Sequence, residues 1–174
     1  MKQKKLKIGL LSDSHRKTEL HQEVINHLLA CGANYLLHAG DLEIKEHLDI
    51  LETSGVPYIC VYGNNDTLLI PLYGKYYIYR EPHYFKIEEL KFKMMHYPYY
   101  LNGDVDVVIY GHTHRFEVSM NGEILFINPG EVCARDTGVV SCVMLEISDS
   151  GGYEVIHYFR EECHSEWQID RVEF

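Results

Sequence analysis

The feature that most constrains the fold is an alternation of strand-like and helix-like segments in the first third of the chain. Short apolar runs predict strands at Lys7–Leu11, Tyr35–Ala39 and Val56–Val61, and apolar residues at helical spacing predict helices over about Thr18–Leu29 and Glu43–Leu51. This order predicts parallel strands joined by right-handed crossovers, so the three strand ends lie at one edge of a sheet. Ligand sites collect at such an edge.

The second half of the chain is mostly strand-like. The predicted strands cover about His83–Ile87, Lys91–Met95, Val105–Ile109, Phe116–Met120, Ile124–Ile127, Val139–Ile147 and Tyr153–Tyr158. Asn121-Gly122 and Ser150-Gly151-Gly152 predict hairpin turns, and residues 67–79 have no clear period. Because no linker interrupts the pattern, we expect one domain over residues 1–174. The predicted class is α/β, a four-layer α-β-β-α sandwich in which helices flank two packed mixed sheets.

The charge and composition of the chain argue against some classes of partner and cofactor. The 26 acidic and 16 basic residues give a formal charge of −10, and no basic stripe is evident, so we expect no long nucleic acid partner. No apolar run reaches transmembrane length and no signal peptide is recognisable, which favours a cytoplasmic protein without a membrane partner. The five cysteines form no C-x-x-C pair, which argues against a thiolate metal site.

Residues of metal-ligand type follow five of the predicted strands. They stand in Asp13-Ser14-His15, Gly40-Asp41, Gly63-Asn64-Asn65-Asp66, at His96, and in Gly111-His112-Thr113-His114. Each motif alone is weak, since Asp-x-His after a strand is more often a turn and helix cap. Their joint occurrence favours a metal site. Carboxylate and amide oxygens with imidazole suit manganese, iron or zinc, and seven ligands fit two ions about 3.5–4 Å apart if one carboxylate bridges them.

The order and spacing of these motifs resemble the calcineurin-like metallophosphoesterase superfamily, whose pattern is D-x-H, G-D, G-N-H-[DE], a lone H, and G-H-x-H. Asn128-Pro129-Gly130 looks most like its small bacterial and archaeal phosphodiesterase branch. The resemblance implies two divalent ions, Mn²⁺ first and Ni²⁺, Fe²⁺, Zn²⁺ or Mg²⁺ as alternatives, and a shared water that attacks phosphorus. It assigns one ion to Asp13, His15 and His114, the other to Asn64, His96 and His112, and the bridge to Asp41.

Three positions depart from the family pattern. Asn65 stands where many members carry the histidine thought to protonate the leaving group, and asparagine cannot act as that acid. We therefore expect activated aryl diesters to be cleaved faster than alkyl monoesters. Tyr97 replaces the common glycine after His96, and Glu131 replaces the usual serine after Gly130. Both are expected to alter the substrate pocket.

Three neighbouring residues have a functional and an ordinary interpretation. Asp66 is either a carboxylate that orients a ligand imidazole or the shared water, or a residue that stabilises its turn. Arg16 either contacts a phosphate oxygen or is exposed at a helix start. Tyr97 either stacks on a base or aryl group or simply packs. With Asn65, Asp66 completes the catalytic candidates, while Arg16 and Tyr97 are the substrate-binding candidates.

The function that these observations favour is hydrolysis of a small phosphodiester by a metal-activated water. The alternatives are a phosphomonoesterase, a nuclease, and a catalytically weak or inactive interaction scaffold on the same fold, which loss of ligands would mark. Exposed tyrosines are compatible with a homodimer, and the candidates are Tyr73, Tyr76, Tyr77 and Tyr79.

Overall fold

A computed structural model describes residues 6–163 and 166–174 of the chain. The predicted alternation of strands and helices is present in the first third of the chain. A 3₁₀ helix and a short strand follow it, mostly within residues 67–79, where the sequence has no clear period. The elements are β1 (Leu6–Leu11), α1 (Thr18–Ala30), β2 (Tyr35–His38), α2 (Lys45–Glu52), β3 (Tyr58–Val61), the 3₁₀ helix (Asp66–Leu72) and β4 (Ile78–Tyr79). The rest is strand: β5 (His83–Ile87), β6 (Leu90–Met94), β7 (Val107–Ile109), β8 (Phe116–Asn121), β9 (Ile124–Pro129), β10 (Val139–Ile147), β11 (Tyr153–Glu161) and β12 (Gln168–Glu173).

The strands form two mixed sheets. The seven-stranded sheet has the order β12-β11-β10-β1-β2-β3-β4, and its β1-β2-β3-β4 half is parallel while β12-β11-β10-β1 is antiparallel. The five-stranded sheet has the order β5-β6-β7-β9-β8, with β6, β7 and β9 parallel. In each sheet, therefore, a group of neighbouring parallel strands ends at the same edge.

The two sheets pack face to face through fully buried side chains. Ile8 and Leu10 of β1 meet the cluster that contains Phe92, Ile109 and Ile127 of the second sheet. The opposite face of β1 lies under α1, and Gly9 makes this approach possible because a Cβ there would sit 3.0 Å from Leu28 Cδ1. A β-strand alternates its side chains between faces, so one short strand serves both cores.

The α/β class with two packed mixed sheets is confirmed. Both α-helices lie on the outer face of the seven-stranded sheet, in the cluster that contains Val24, Leu28, Leu48 and Leu51. Among the described residues no α-helix covers the five-stranded sheet, so the expected fourth layer is not seen there. Strand β12 was not predicted because an exposed edge strand carries no apolar run.

Two further findings bear on the expected partners. Within residues 6–163 and 166–174, no helix is long and apolar enough to span a bilayer. Tyr73 is 66% exposed and Tyr77 57% exposed, whereas the Tyr76 hydroxyl donates to Asp49 and the Tyr79 ring stacks on His83. The homodimer stays a prediction. The lysine-rich stretch at residues 2–5 lies outside the described residues.

Candidate metal centre

The predicted ligand residues lie where parallel strands of both sheets end. Asp13 follows β1, Asp41 follows β2 and Asn64 follows β3, and these strands are neighbours in the seven-stranded sheet. His96 follows β6, and the His112 and His114 pair follows β7, its parallel neighbour in the second sheet. The facing sheets thus bring all seven residues to one end of the sandwich.

Five of these residues have left-handed backbone conformations, which residues other than glycine rarely adopt. Their φ angles are 53° at Asp13, 45° at His15, 59° at Asp41, 69° at His112 and 62° at His114. Each such conformation costs about 1–3 kcal/mol and persists only where the surrounding structure enforces it. Such strain clusters at functional sites, and here it coincides with candidate ligands.

Asp13, His15 and His114 form one half of the cluster. His114 Nε2 lies 3.3 Å from Asp13 Oδ1, and the His15 and His114 rings stack with centroids 5.3 Å apart. His15 Nε2 lies 3.8 Å from Asp41 Oδ2, which connects this half to the second.

Asn64, His96 and His112 form the other half. His96 Nε2 lies 3.0 Å from Asn64 Oδ1 and 3.5 Å from Asp41 Oδ2, and its ring centroid lies 5.2 Å from that of His112. Asp41 Oδ2 is therefore close to an imidazole of each half. This is the position that a bridging carboxylate needs.

The buried polar atoms of the cluster fit a divalent cation. Asp13 Oδ1 and His15 Nε2 are fully buried without a hydrogen-bond partner, although both can donate a lone pair. Burial raises the pKa of Asp13. Burial would also raise the pKa of Asp41, but hydrogen bonds with His96 and Asn65 outweigh it and hold that pKa below its usual range. Unpartnered buried acceptors are costly, and a cation would satisfy them.

Two carboxylates stand behind the first half of the cluster. Glu43 Oε1 lies 2.6 Å from His15 Nδ1, and Glu131 Oε2 lies 2.6 Å from His114 Nδ1. In the second half, His96 Nδ1 contacts a backbone carbonyl, that of Ala39, at 2.9 Å. A carboxylate on the far nitrogen fixes the ring and raises its basicity as a ligand. Glu43 was missed in the sequence, although its place two residues after Asp41 repeats the spacing of Asp13 and His15.

Glu131 was expected to alter the substrate pocket, but it lies behind His114 instead. It is completely buried and accepts hydrogen bonds from the N–H groups of Arg135, Asp136 and Thr137 as well as facing His114. Both of its oxygens are occupied, so it supports a ligand and its own loop rather than the substrate pocket.

The two catalytic candidates both support Asp41. The Asp66 carboxylate accepts the backbone N–H groups of Asp41 at 2.9 Å, Gly63 at 2.7 Å and Glu43 at 2.6 Å, rather than contacting a ligand imidazole. Asn65 donates its side-chain N–H to Asp41 Oδ2 at 2.6 Å and its backbone N–H to Oδ1 at 2.9 Å. Asp66 therefore holds the ligand loops together, and Asn65 lies directly at the cluster.

The two substrate-binding candidates differ in position. The Tyr97 ring lies 4.1 Å from the His112 ring and stacks on Tyr99, so it borders the cluster. Arg16 is 67% exposed and donates from Nε to Glu43 Oε2 at 2.9 Å, behind His15. Arg135, which the sequence did not single out, places Nη1 3.5 Å from His15 Nδ1.

The fold and cluster define a metal-binding α/β protein with its site at the strand ends of two facing sheets. The model of the calcineurin-like phosphoesterase superfamily domain matches residues 6–150, and the chain belongs to that superfamily. The predicted family is thereby confirmed.

Curated relatives and solved structures agree with this placement. A phosphodiesterase of Methanocaldococcus jannaschii is 27% identical over 164 residues, covering 87% of this chain and 99% of that protein. A probable metallophosphoesterase of Methanothermobacter thermautotrophicus is 31% identical over 140 residues, covering 71% and 75%. The crystal structure of a single-substitution variant of Vps29 from Entamoeba histolytica has a TM-score of 0.77 and 26% identity, covering 97% of this chain and 99% of that one.

Proposed function

We propose that this chain is a metal-dependent phosphodiesterase that hydrolyses small phosphodiesters at a dinuclear centre. The observation that carries the proposal is the convergence of seven ligand-type residues from five loops, with Asp41 Oδ2 3.8 Å from His15 Nε2 and 3.5 Å from His96 Nε2. The relative from M. jannaschii that is named a phosphodiesterase supports the substrate class.

Each half of the cluster would hold one ion. Asp13, His15 and His114 form the first set and Asn64, His96 and His112 the second, with Asp41 between them. Two bound divalent ions, Mn²⁺ being the first candidate, supply a water of lowered pKa and neutralise charge on the phosphoryl oxygens. The residues of this chain orient the ligands: Glu43 and Glu131 fix two imidazoles, and Asp66 fixes the loops that carry Asp41 and Asn64.

The surroundings of the cluster favour small substrates with good leaving groups. Asn65 can donate a hydrogen bond but cannot give a proton to a departing alkoxide, so departure depends on the leaving group itself. The formal charge of −10 opposes a long polyanion. Tyr97 borders the cluster and provides an aromatic ring for an ester substituent.

An interaction scaffold is the second candidate, because a Vps29 structure is similar over nearly the whole chain. Scaffolds that have lost catalysis are expected to lose ligands. Here every ligand position carries a competent residue, and two ligand histidines have carboxylates behind them. These observations favour hydrolysis.

Metal analysis and a substrate panel test the proposal. We expect about two metal ions per chain and faster hydrolysis of bis(4-nitrophenyl) phosphate than of 4-nitrophenyl phosphate, compared under Mn²⁺, Ni²⁺ and Mg²⁺. Asp41→Asn should reduce hydrolysis to background while circular dichroism stays unchanged. Asp49→Asn is the control, because that carboxylate is half exposed and pairs with Lys45 and the Tyr76 hydroxyl rather than with the cluster. Hydrolysis that survives Asp41→Asn would refute the dinuclear mechanism.

A further inference from the structure

A separate cavity of about 270 Å³ adjoins the second half of the cluster. Asn64 lies in its wall, and the remaining wall includes side chains that the metal cluster does not use. We call the group formed by Tyr62, Ile70, Tyr73 and Arg80 the tyrosine-arginine pocket. A group bound in it would lie next to a proposed metal ligand.

The size and lining of the tyrosine-arginine pocket suit one ring. Cavities that enclose a whole drug-sized ligand are usually about 300–1,000 Å³, so 270 Å³ fits a single ring-sized substituent. Two phenol rings and the Ile70 side chain supply the apolar surface. Aromatic side chains bind planar groups by stacked or edge-to-face contacts.

Arg80 supplies a cation that is paired with no carboxylate in the described part of the chain. It makes no ion pair or hydrogen bond with another described residue, whereas Arg16 and Arg135 are each paired with a carboxylate, those of Glu43 and Asp136. A guanidinium can stack on a ring and donate several hydrogen bonds to an acceptor. Arg80 is therefore available to a ligand.

Tyr62 contributes a second polar side chain to the wall of the pocket. Its hydroxyl is buried and has no hydrogen-bond partner in the described part of the chain. Burial is the main cause that raises the pKa of Tyr62, so the hydroxyl stays protonated and can donate. A buried hydroxyl without a partner is costly, so a small movement of this side chain towards a ligand acceptor in the pocket would be favourable.

We propose that the tyrosine-arginine pocket binds an aromatic substituent of the phosphoester, with Arg80 donating to a hydrogen-bond acceptor on that ring. The inference rests on the proposed function, since the phosphoryl group must sit at the cluster beside Asn64. An alkyl substituent would fill less of the pocket and offer Arg80 no acceptor. The substrate class is accordingly an aryl or heteroaryl ester whose ring carries an oxygen acceptor.

The rival location for a ring is the pair formed by half-buried Tyr97 and exposed Tyr99, which stack on each other with centroids 4.9 Å apart beside His112. Among the described residues, no lysine or arginine makes a cation–π contact with either of these rings. Both locations adjoin the second half of the cluster but next to different residues, Asn64 for the pocket and His112 for the tyrosine pair, so substitutions can separate them.

Phosphonates test the pocket without the complication of turnover, because their carbon–phosphorus bond is not cleaved. Calorimetry on the Mn²⁺-loaded protein would compare methylphosphonate, phenylphosphonate and 4-carboxyphenylphosphonate. We expect phenylphosphonate to bind about tenfold tighter than methylphosphonate, which is about 1.4 kcal/mol, and the carboxylate to tighten binding again.

Two variants should remove these gains separately. Tyr73→Ala should reduce the preference for phenyl over methyl to about twofold, and Arg80→Gln should abolish the gain from the carboxylate while keeping the phenyl preference. Tyr77→Ala and Lys75→Gln are the matched controls, an exposed tyrosine and a lysine from the same segment that do not line the pocket. Both should bind all three probes like the unmodified protein.

The outcomes distinguish this inference from the proposed function. If diesters are hydrolysed but the phenyl preference is absent, survives Tyr73→Ala, or disappears in Tyr99→Ala instead, the pocket assignment is overturned and the proposed function stands. If no phosphonate binds the loaded protein and no diester is hydrolysed, both fail.

Discussion

Glu131 Oε2 lies 2.6 Å from His114 Nδ1, with both side chains buried beneath the candidate metal centre. The contact fixes the ring so that Nε2 points towards Asp13 Oδ1, 3.3 Å away. Residue 131 is one of the three positions at which the sequence departs from the pattern that it resembles. It gives the first half of the cluster a support that His96, with the Ala39 carbonyl behind it, does not have.

Glu131→Gln should therefore weaken the binding of one ion more than the other. A lost carboxylate behind a ligand histidine typically costs about 10–100-fold in metal affinity. We expect a calorimetric Mn²⁺ titration to show two steps in the unmodified protein, with the tighter step weakened in Glu131→Gln. Asp136→Asn is the control, because that carboxylate is half exposed and 3.7 Å from the same nitrogen. Equal weakening of both steps would contradict the assignment.

Gly63→Ala should displace Asp41. The substitution creates no cavity and changes no charge. A Cβ at residue 63 would lie 2.2 Å from Asp41 Oδ1 and 2.4 Å from the Asp41 backbone nitrogen, so the Asp41 carboxylate must move. We expect Mn²⁺ affinity and hydrolysis to fall together, with a stability loss of about 1–3 kcal/mol in urea unfolding.

The control for this substitution is Gly55→Asn. Gly55 has open space around the Cβ position, and asparagine tolerates its φ of 83°. It should leave metal binding unchanged. Unchanged metal binding in Gly63→Ala would mean that Asp41 does not need its present position.

Asn65→His should restore a proton donor for the leaving group. The Asn65 side chain already contacts Asp41 Oδ2 at 2.6 Å, so a histidine there would begin beside the cluster. We expect turnover of esters with poor leaving groups to rise by about 10²-fold or more while aryl esters change little. A series of esters with leaving groups of increasing pKa measures this as a shallower slope of log kcat/KM. The same slope in both proteins would show that residue 65 does not assist departure.

Part of this site follows from the sequence and part does not. The convergence of the candidate ligand residues was predictable because parallel strands end at one edge, which makes a polar residue after each strand informative. The supports were not, since Glu43 and Glu131 meet their histidines across 28 and 17 residues along loops with no periodic pattern. Asp66 was predicted near the site, but its three backbone partners depend on how loops from β2 and β3 pack. The exposed β12 likewise lacked any apolar signal.

His157 offers a test of the fold that is independent of the metal centre. Ser141 Oγ donates to the Pro129 carbonyl at 2.6 Å, so the same oxygen accepts the His157 Nε2–H at 2.8 Å. The imidazole is stacked between Phe116 and Phe159, and its Nδ1 has no partner among the described residues. Burial lowers the pKa of His157 to about 4, because a protonated ring would bury a charge and an unpaired N–H.

This shift makes stability depend on pH. Between a folded pKa of about 4 and the ordinary 6.5, the unfolded chain binds more protons than the folded one, so stability is full above pH 6.5 and falls as the pH drops towards 4. The contribution is about 1.4 kcal/mol per pH unit, or about 2 kcal/mol between pH 6.5 and 5.

His157→Gln keeps a donor near the Nε2 position but does not titrate. The loss of ring stacking lowers the stability of His157→Gln by the same amount at both pH values. The other buried histidines titrate in both proteins. The difference in pH dependence between the two proteins is therefore due to His157. The test is urea unfolding with a chelator present. The free energy of unfolding should fall from pH 6.5 to pH 5 in both proteins, and this fall should be about 2 kcal/mol smaller in His157→Gln than in the unmodified protein. Parallel curves would show that His157 is not held neutral between Phe116 and Phe159.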